Sequence, residues 1–309
     1  VVAGHVLDPP RHVGKERVLN VGNHEPNQVG LPFLQAKPAR HPAGLVAQRL
    51  GRLPDVLSGA RPDLFGVEGI ARSLKGYLDI ETGLPKYELR KPKTKLEVDP
   101  DATKIRPVIV MGMIEGADFD EESLKGLMDL QDKLHKIIGK DRKKISIGTY
   151  DLKGLELPIK FTTIKQDSEG FIPLDFDEKL SPKEILEKHP KGKEYGHILE
   201  GQENYHLLVD SKNRVLSMPP IINSEKCRVT TDTKKMGIDV TGTDEKTARQ
   251  ALNIVMSAAA ERGFDLRAVT VEYPDRTIET PNMESRERKV NINRANEKLG
   301  LNLTSDKAK

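Results

Sequence analysis

An aspartate sits in the middle of an apolar, strand-length run, Met236-Gly237-Ile238-Asp239-Val240. A carboxylate is costly to bury there unless it is paired and hydrogen-bonded. Side chains two apart on a strand share a face, so Asp239 and Thr241 point the same way. If that face meets solvent, both residues are ordinary. If it lines a pocket, they form a polar recognition pair within reach of one ligand. The surrounding stretch, 215–243 (VLSMPPIINSEKCRVTTDTKKMGIDVTGT), is the most unusual in the chain. A strand runs into Pro219-Pro220, neither of which can donate a ladder hydrogen bond. Small polar groups (Asn223, Ser224, Glu225, Thr230, Thr231 and Thr233) then alternate with Ile, Val and Cys.

Other chemistries find no support. There is no Gly-rich phosphate loop of the Walker or dinucleotide type, no HExxH and no CxxC. No serine sits in a nucleophile elbow. Glu121-Glu122 and Asp175/Asp177/Glu178 are paired carboxylates, but they fall at a helix start and in a loop, where acidic side chains are solvated. The single cysteine, Cys227, makes neither an internal disulfide nor a thiolate cluster. Four of the eight histidines lie in residues 1–60 at spacings that match no ligand motif, so no metal site is expected.

The elements that must position 215–243 are legible in the periodicity. Leu64, Val67, Ile70, Ala71, Leu74 and Leu78 predict a helix over 64–79 with Asp63 as N-cap. Residues 86–104 read as a charged linker with a short extended piece, and 107–114 (PVIVMGMI) as a strand. Asp120 caps a helix whose apolar side carries Leu124, Leu127, Met128, Leu134, Ile137 and Ile138 and which Gly139 stops. Residues 145–150 read as a strand. Ser181-Pro182-Lys183-Glu184 is a capping box opening a short helix that Pro190 closes. Residues 205–209 and 214–218 form a hairpin around Asp210-Ser211-Lys212-Asn213. A strand over 236–240, a helix from about Asp244 to Arg262 with Gly263 at its end, and an alternating strand over 266–273 complete the set. Strands and helices mix without strict βαβ alternation, which predicts an α+β fold of mixed sheets with packed helices.

With 309 residues there is room for about two domains. No stretch approaches eighteen uncharged apolar residues and no basic start precedes an apolar run, so neither a membrane span nor a secretory signal is expected, and a cytoplasmic protein is. Residues 1–60 carry seven Lys/Arg against four Asp/Glu, whereas 61–309 carry 43 of each. The overall charge of +3 therefore comes from the first fifth of the chain and says little about a nucleic-acid surface elsewhere. That first segment also has no Ile, Thr, Tyr or Met, and its Pro and Gly punctuation leaves room only for a helix at 43–50. It reads either as a flexible basic extension or as a segment foreign to the rest of the chain, such as a shifted reading frame joined near Ala60–Arg61.

Beyond that point the runs KGKEYGHIL (191–199), VLSMPPIINSE (215–225), RVTTDT (228–233) and IDVTGTD (238–244) resemble the central editing domain of the archaeal and eukaryotic phenylalanine–tRNA ligase β-subunit family. ARPDLFGVEGIAR (60–72) resembles the end of that subunit's N-terminal domain, except that Ala60 replaces the usual Asn. RERKVNINRANEKLGLNL (286–303) resembles the opening of the domain after the editing one. The resemblance implies a remnant of the N-terminal domain plus linker at 61–98, the editing domain at 99–280 and the start of the next domain at 281–309. Residues 1–60 stay outside it, and the chain is expected to be a fragment.

The resemblance implies a function with a physical logic. A synthetic site that accepts Phe discriminates weakly, about a hundredfold, against the added hydroxyl of Tyr. A second pocket with a buried acceptor for the phenol reverses the test, because Phe leaves that acceptor unpaired. The family's editing site falls in the matched domain. By that match Asp239 and Thr241 lie on the pocket strand, with Leu208 and Ser217 on the adjoining hairpin, Asn223 and Glu225 as second choices, and Pro219 and Pro220 shaping the binding surface. Asp239 or Glu225 would accept the phenol or bind the amino group, Thr241 and Ser217 would position water or the ribose, and Leu208 would wall the ring. A held water and an activated ester need no protein nucleophile. The implied partners are the ligase α subunit, in a heterotetramer, and tRNA(Phe), with no membrane. ATP and Mg²⁺ are implied for the intact ligase, and no cofactor for this chain. Lys140–Lys144 and Lys191–Lys193 are solvated basic runs that could meet tRNA phosphate. Two other readings stay open: a structural, tRNA-docking module without hydrolysis, and a free-standing aminoacyl-tRNA-binding module.

Overall fold

Strand β3 (Val108–Glu115) is buried on both faces, which is why its sequence is a continuous apolar run rather than an alternating one. Val108, Val110 and Ile114 join one core with helices α3 (Glu121–Ile137) and α6 (Glu245–Glu261). Ile109, Met111 and Met113 face the opposite way, into a second core. The computed structural model of the chain describes residues 60–285, 287 and 289–306. The segment 1–59, with the helix expected at 43–50, lies outside the described residues.

Eleven strands among the described residues share one hydrogen-bonded network. They are β1 (Leu89–Arg90), β2 (Lys95–Val98), β3, β4 (Ile145–Asp151), β5 (Ile159–Lys165), β6 (Asn204–Val209), β7 (Val215–Met218), β8 (Ile222–Asn223), β9 (Lys235–Gly242), β10 (Asp265–Glu272) and β11 (Thr277–Thr280). The main order is β4-β9-β3-β10-β2-β5-β6-β7-β8. The first half of β10 pairs with β3 and β1, and its second half with β11 and β2, so β10 passes from one sheet into the other. The two sheets enclose the second core, which includes Leu96, Phe161, Leu208, Leu216 and Val269. A third core, with Phe171, Ile185, Leu207 and Met218, lies under the short helices α4 (Pro182–Lys188) and α5 (Pro190–Tyr195). This is the α+β arrangement the mixed pattern predicts.

The caps are as the sequence predicts for α3 and α4, and α6 begins where the sequence places it. Asp120 and Ser123 exchange both capping-box bonds, as do Ser181 and Glu184, and Asp244 accepts from the Thr247 N–H at 2.8 Å. Four local expectations are corrected. The first helix, α1 (Val67–Tyr77), is capped by Gly66; Asp63 sits in a preceding 3₁₀ turn, held by Arg61 and Arg72. Residues 86–104 hold β1, β2 and a helix, α2 (Pro100–Ile105), because Leu96 and Val98 reach the inter-sheet core while their charged neighbours face out. Pro190 ends one helix and also starts the next, with the His189 side chain accepting from the Lys191 N–H. Finally, β5, β8 and β11 arise where no strand is expected, while β10 lies where the alternation over 266–273 predicts it. A last helix, α7 (Ile292–Leu299), ends at Gly300 in the left-handed conformation. Among the described residues, no helix is long and apolar enough to cross a membrane.

Candidate functional site

Strand β4 ends the sheet and leaves one edge unpaired, which natural sheets cover. Side chains do so here. The Ile147 N–H donates to His135 Nε2 at 2.7 Å, the Ile147 carbonyl accepts from Gln131 Nε2 at 3.1 Å, and the Thr149 carbonyl accepts from Asn223 Nδ2 at 3.0 Å. Burial lowers the His135 pKa and keeps it the neutral acceptor this bond needs. Along this edge runs a cleft of about 350 Å³, within the size range of small-ligand sites. Leu124, Met128, Ile147, Ile221, Ile222 and Val229 give it apolar walls. Asn223 and the Pro219-Pro220 turn line it, and the two prolines are buried.

The floor is polar. Asp239 is 1% exposed and accepts a hydrogen bond from the Tyr150 phenol, whose oxygen lies 2.8 Å from Ser217 Oγ. All three line the cleft. Burial raises the Asp239 pKa to about 7 against the opposing Tyr150 hydrogen bond and the Arg106 charge. Burial, together with the Asp239 charge, pushes the Tyr150 phenol well above its ordinary value. Register explains the fit: Gly148 stands opposite Asp239 on the neighbouring strand, and a Cβ there would overlap the Tyr150 hydroxyl and the Asp239 carboxylate.

Asp239 and Thr241 share a face, and that face is buried. Thr241 is held just behind the floor. Its hydroxyl accepts from Arg106 Nε at 2.9 Å and lies 2.9 Å from Ser146 Oγ, while Arg106 Nη2 donates to the Thr241 carbonyl at 3.0 Å. Burial lowers the Arg106 pKa to about 10 against the Asp239 charge. Thr241 does not line the cleft, although Ser146 does. Leu208 pairs with Ser217 across β6 and β7 but is fully buried in the inter-sheet core, away from the cleft surface. Glu225 sits outside the mouth. It binds Arg228 at 2.6 Å and accepts from the Asp175 N–H at 3.0 Å, and these bonds hold its pKa below the usual carboxylate value. Arg228 and Asp175 themselves reach the mouth.

Three contributors escape the sequence reading. Tyr150 lies near the end of a strand, β4, that the sequence shows over 145–150, but nothing local shows what its phenol meets. Arg106 follows α2 as an ordinary-looking charge. Arg142 lies in a basic run, yet it is half-buried and donates from Nη1 to the carbonyls of Pro220 at 3.1 Å and Ile221 at 2.8 Å. It ends three successive left-handed residues, with φ of 50° at Lys140, 52° at Asp141 and 65° at Arg142, a conformation unfavourable for L residues. Its guanidinium lies 4.2 Å from the Tyr195 ring centroid. Arg142→Ala is therefore expected to lower the unfolding free energy by about 2 kcal/mol in urea titration, since it removes charge-assisted bonds to the carbonyls of the buried Pro220 and Ile221. Arg142→Lys is expected to recover only part of that, lacking the planar fork.

Among the described residues, no three His, Cys, Asp or Glu side chains gather to hold a metal ion. No family model matches the chain. It is 43% identical over 249 residues to the phenylalanine–tRNA ligase β subunit of Archaeoglobus fulgidus, which covers 81% of this chain and 45% of the relative. It is 44% identical over 247 residues to the same subunit of Methanococcoides burtonii, with 80% and 45% covered. The chain thus spans somewhat under half the length of these relatives. Among solved structures, the crystal structure of an N-terminal fragment of the phenylalanyl-tRNA synthetase β subunit from Pyrococcus horikoshii superposes with a TM-score of 0.79 at 43% identity, covering 81% of this chain and 72% of that one. On fold and sequence together, the chain belongs to the phenylalanine–tRNA ligase β-subunit family.

Proposed function

We propose that the β4-edge cleft is a proofreading site that hydrolyses Tyr-tRNA(Phe) and spares Phe-tRNA(Phe). The observation that carries this reading is a buried carboxylate bonded to a phenol on the floor of a cleft whose walls include Leu124, Met128, Ile147, Ile221, Ile222 and Val229. An aromatic ring fits the apolar walls, and its phenol reaches a floor already built of hydroxyl and carboxylate. Phenylalanine would leave that floor unpaired at a cost of about 1–3 kcal/mol. The ester is already activated, so a water held at the ester, at the far end of the side chain from the floor, needs only orientation and donors for the developing oxyanion.

The basic runs support delivery of the tRNA end. Arg142 and Lys191, one from each run, both lie over the Tyr195 ring, at 4.2 and 5.4 Å, and both line the cleft. In this reading the chain works with the α subunit in a heterotetramer, and amino-acid activation with ATP and Mg²⁺ is assigned to that partner. The test is incubation of this chain with Tyr-tRNA(Phe) and Phe-tRNA(Phe) while following deacylation. Loss of the tyrosyl ester at least tenfold faster is expected. Equal persistence of the two would leave a structural, tRNA-docking role.

A further inference from the structure

The Ser217–Tyr150–Asp239 chain has a defined sense. A phenol owns one hydrogen, and Tyr150 donates it to Asp239 Oδ1. The Tyr150 oxygen can then only accept from Ser217, 2.8 Å away. With its hydrogen committed inward, Ser217 offers the cleft lone pairs alone. We propose that Tyr150 is a positioning residue that relays the buried Asp239 charge to Ser217, so that the floor presents an acceptor selecting a ring substituent that donates a hydrogen bond, a phenol O–H. This deepens the proofreading reading and rests on it for the identity of the ligand, whereas the relay itself is testable without tRNA.

The geometry supports a built device rather than an incidental contact. Tyr150 has no exposed surface, Ser217 is 2% exposed, and both line the cleft. Gly148 leaves open the space in which phenol and carboxylate meet, since a Cβ there would overlap both. The acceptor lies between apolar walls, which suits a ring with a para hydroxyl better than an ammonium.

The relay is reversible. Protonated Asp239 donates to the Tyr150 oxygen, Tyr150 then donates to Ser217, and the Ser217 hydrogen turns into the cleft. The floor changes from acceptor to donor. The other charged or titratable groups acting on the chain are Arg106 before β3 and Cys227 after β8, and His206 on β6 acts on Arg106. The Cys227 thiol is pushed up to about 12 and His206 down to about 4, so both are neutral at every pH between 5.5 and 8.5, and Arg106 stays charged. Arg142, His189, Lys191, Asp175 and Arg228 stand across the cleft.

The probes are p-cresol, which donates and accepts, and 4-methylanisole, which only accepts, with binding to the whole chain followed by NMR. At pH 8.5 p-cresol is expected to bind at least tenfold more tightly. At pH 5.5 the ratio is expected to fall severalfold, because the floor now donates to either oxygen. In Tyr150→Phe the high-pH ratio should drop toward the low-pH value and lose its pH dependence. A ratio that is flat with pH in the unaltered chain overturns the relay, as does a ratio preserved in Tyr150→Phe or failure of p-cresol to bind at pH 8.5. If Tyr150→Phe does not fold, the pH comparison on the unaltered chain decides alone. If the relay holds while Tyr-tRNA(Phe) persists, the proofreading reading fails separately.

Discussion

Replacing Gly148 by alanine is expected to abolish tyrosyl-ester hydrolysis, at least a hundredfold, and to cost about 3 kcal/mol of stability. On a strand the usual consequence of Gly→Ala is a gain of about 0.5–1 kcal/mol, because glycine loses more backbone entropy on folding. The opposite sign is expected here. Gly148 stands across from Asp239 in the β4–β9 register, and a Cβ would overlap both the Tyr150 hydroxyl and the Asp239 carboxylate. Neither neighbour is a flexible surface group; both are buried, so the overlap must be relieved by moving strands or expelling the tyrosine. Overpacking of this kind costs about 1–3 kcal/mol, occasionally more. Urea unfolding and single-turnover deacylation check the two halves of the expectation. A stable, active Gly148→Ala chain would show that the Tyr150–Asp239 pair is dispensable.

The second large effect concerns Asp239→Asn. The folded pKa is about 7 against an ordinary 3.8, raised chiefly by burial. A raised folded pKa means that the native state binds more protons than the unfolded chain between those values. The stability from this group is therefore fully present below about pH 4, declines as pH rises, and is lost above about 7. The shift corresponds to about 4 kcal/mol. Asparagine keeps an acceptor for Tyr150 but carries no charge. Asp239→Asn is thus expected to be more stable than the unaltered chain at pH 8.5, by up to about 4 kcal/mol, with the difference shrinking toward acid. His206 titrates in the opposite sense, because its folded pKa of about 4 lies below the ordinary 6.5. Its contribution is common to both chains, so the difference between them isolates Asp239. Hydrolysis is expected to fall even as stability rises, the pattern of a strained site rather than a structural one.

The α+β class, the main helices with their caps and the strands around 107–114, 145–150 and 236–240 were legible because periodicity and capping are local. The anomaly of Asp239 was legible as well: a carboxylate in an apolar strand needs a partner, and it has two, one bonded and one electrostatic. The identity of those partners was not. Tyr150 lies 89 residues away and Arg106 acts from before β3, and only the pairing order of β4, β9 and β3 brings them together. Leu208 illustrates the converse. Its register with Ser217 follows from the hairpin, but its side chain enters the inter-sheet core rather than the cleft, and the stacking of the two sheets that decides this is not written in the hairpin's own sequence. β2 was hidden in a charged linker because four residues alternating half-buried and buried give too short a period to read. Arg142 was hidden by its neighbours, since a basic run gives no sign that one member turns inward.

Binding of two non-hydrolysable mimics of the charged tRNA end, tyrosyl and phenylalanyl groups amide-linked to adenosine, tests the central claim most directly. Calorimetry with this chain at pH 8 is expected to show the tyrosyl compound bound at least tenfold more tightly, with its ring protons contacting Ile221 and Ile222 and the preference abolished by Gly148→Ala. Equal affinity of the two, or ring contacts mapped away from the β4 edge, would contradict the assignment of this cleft to a phenol-bearing side chain.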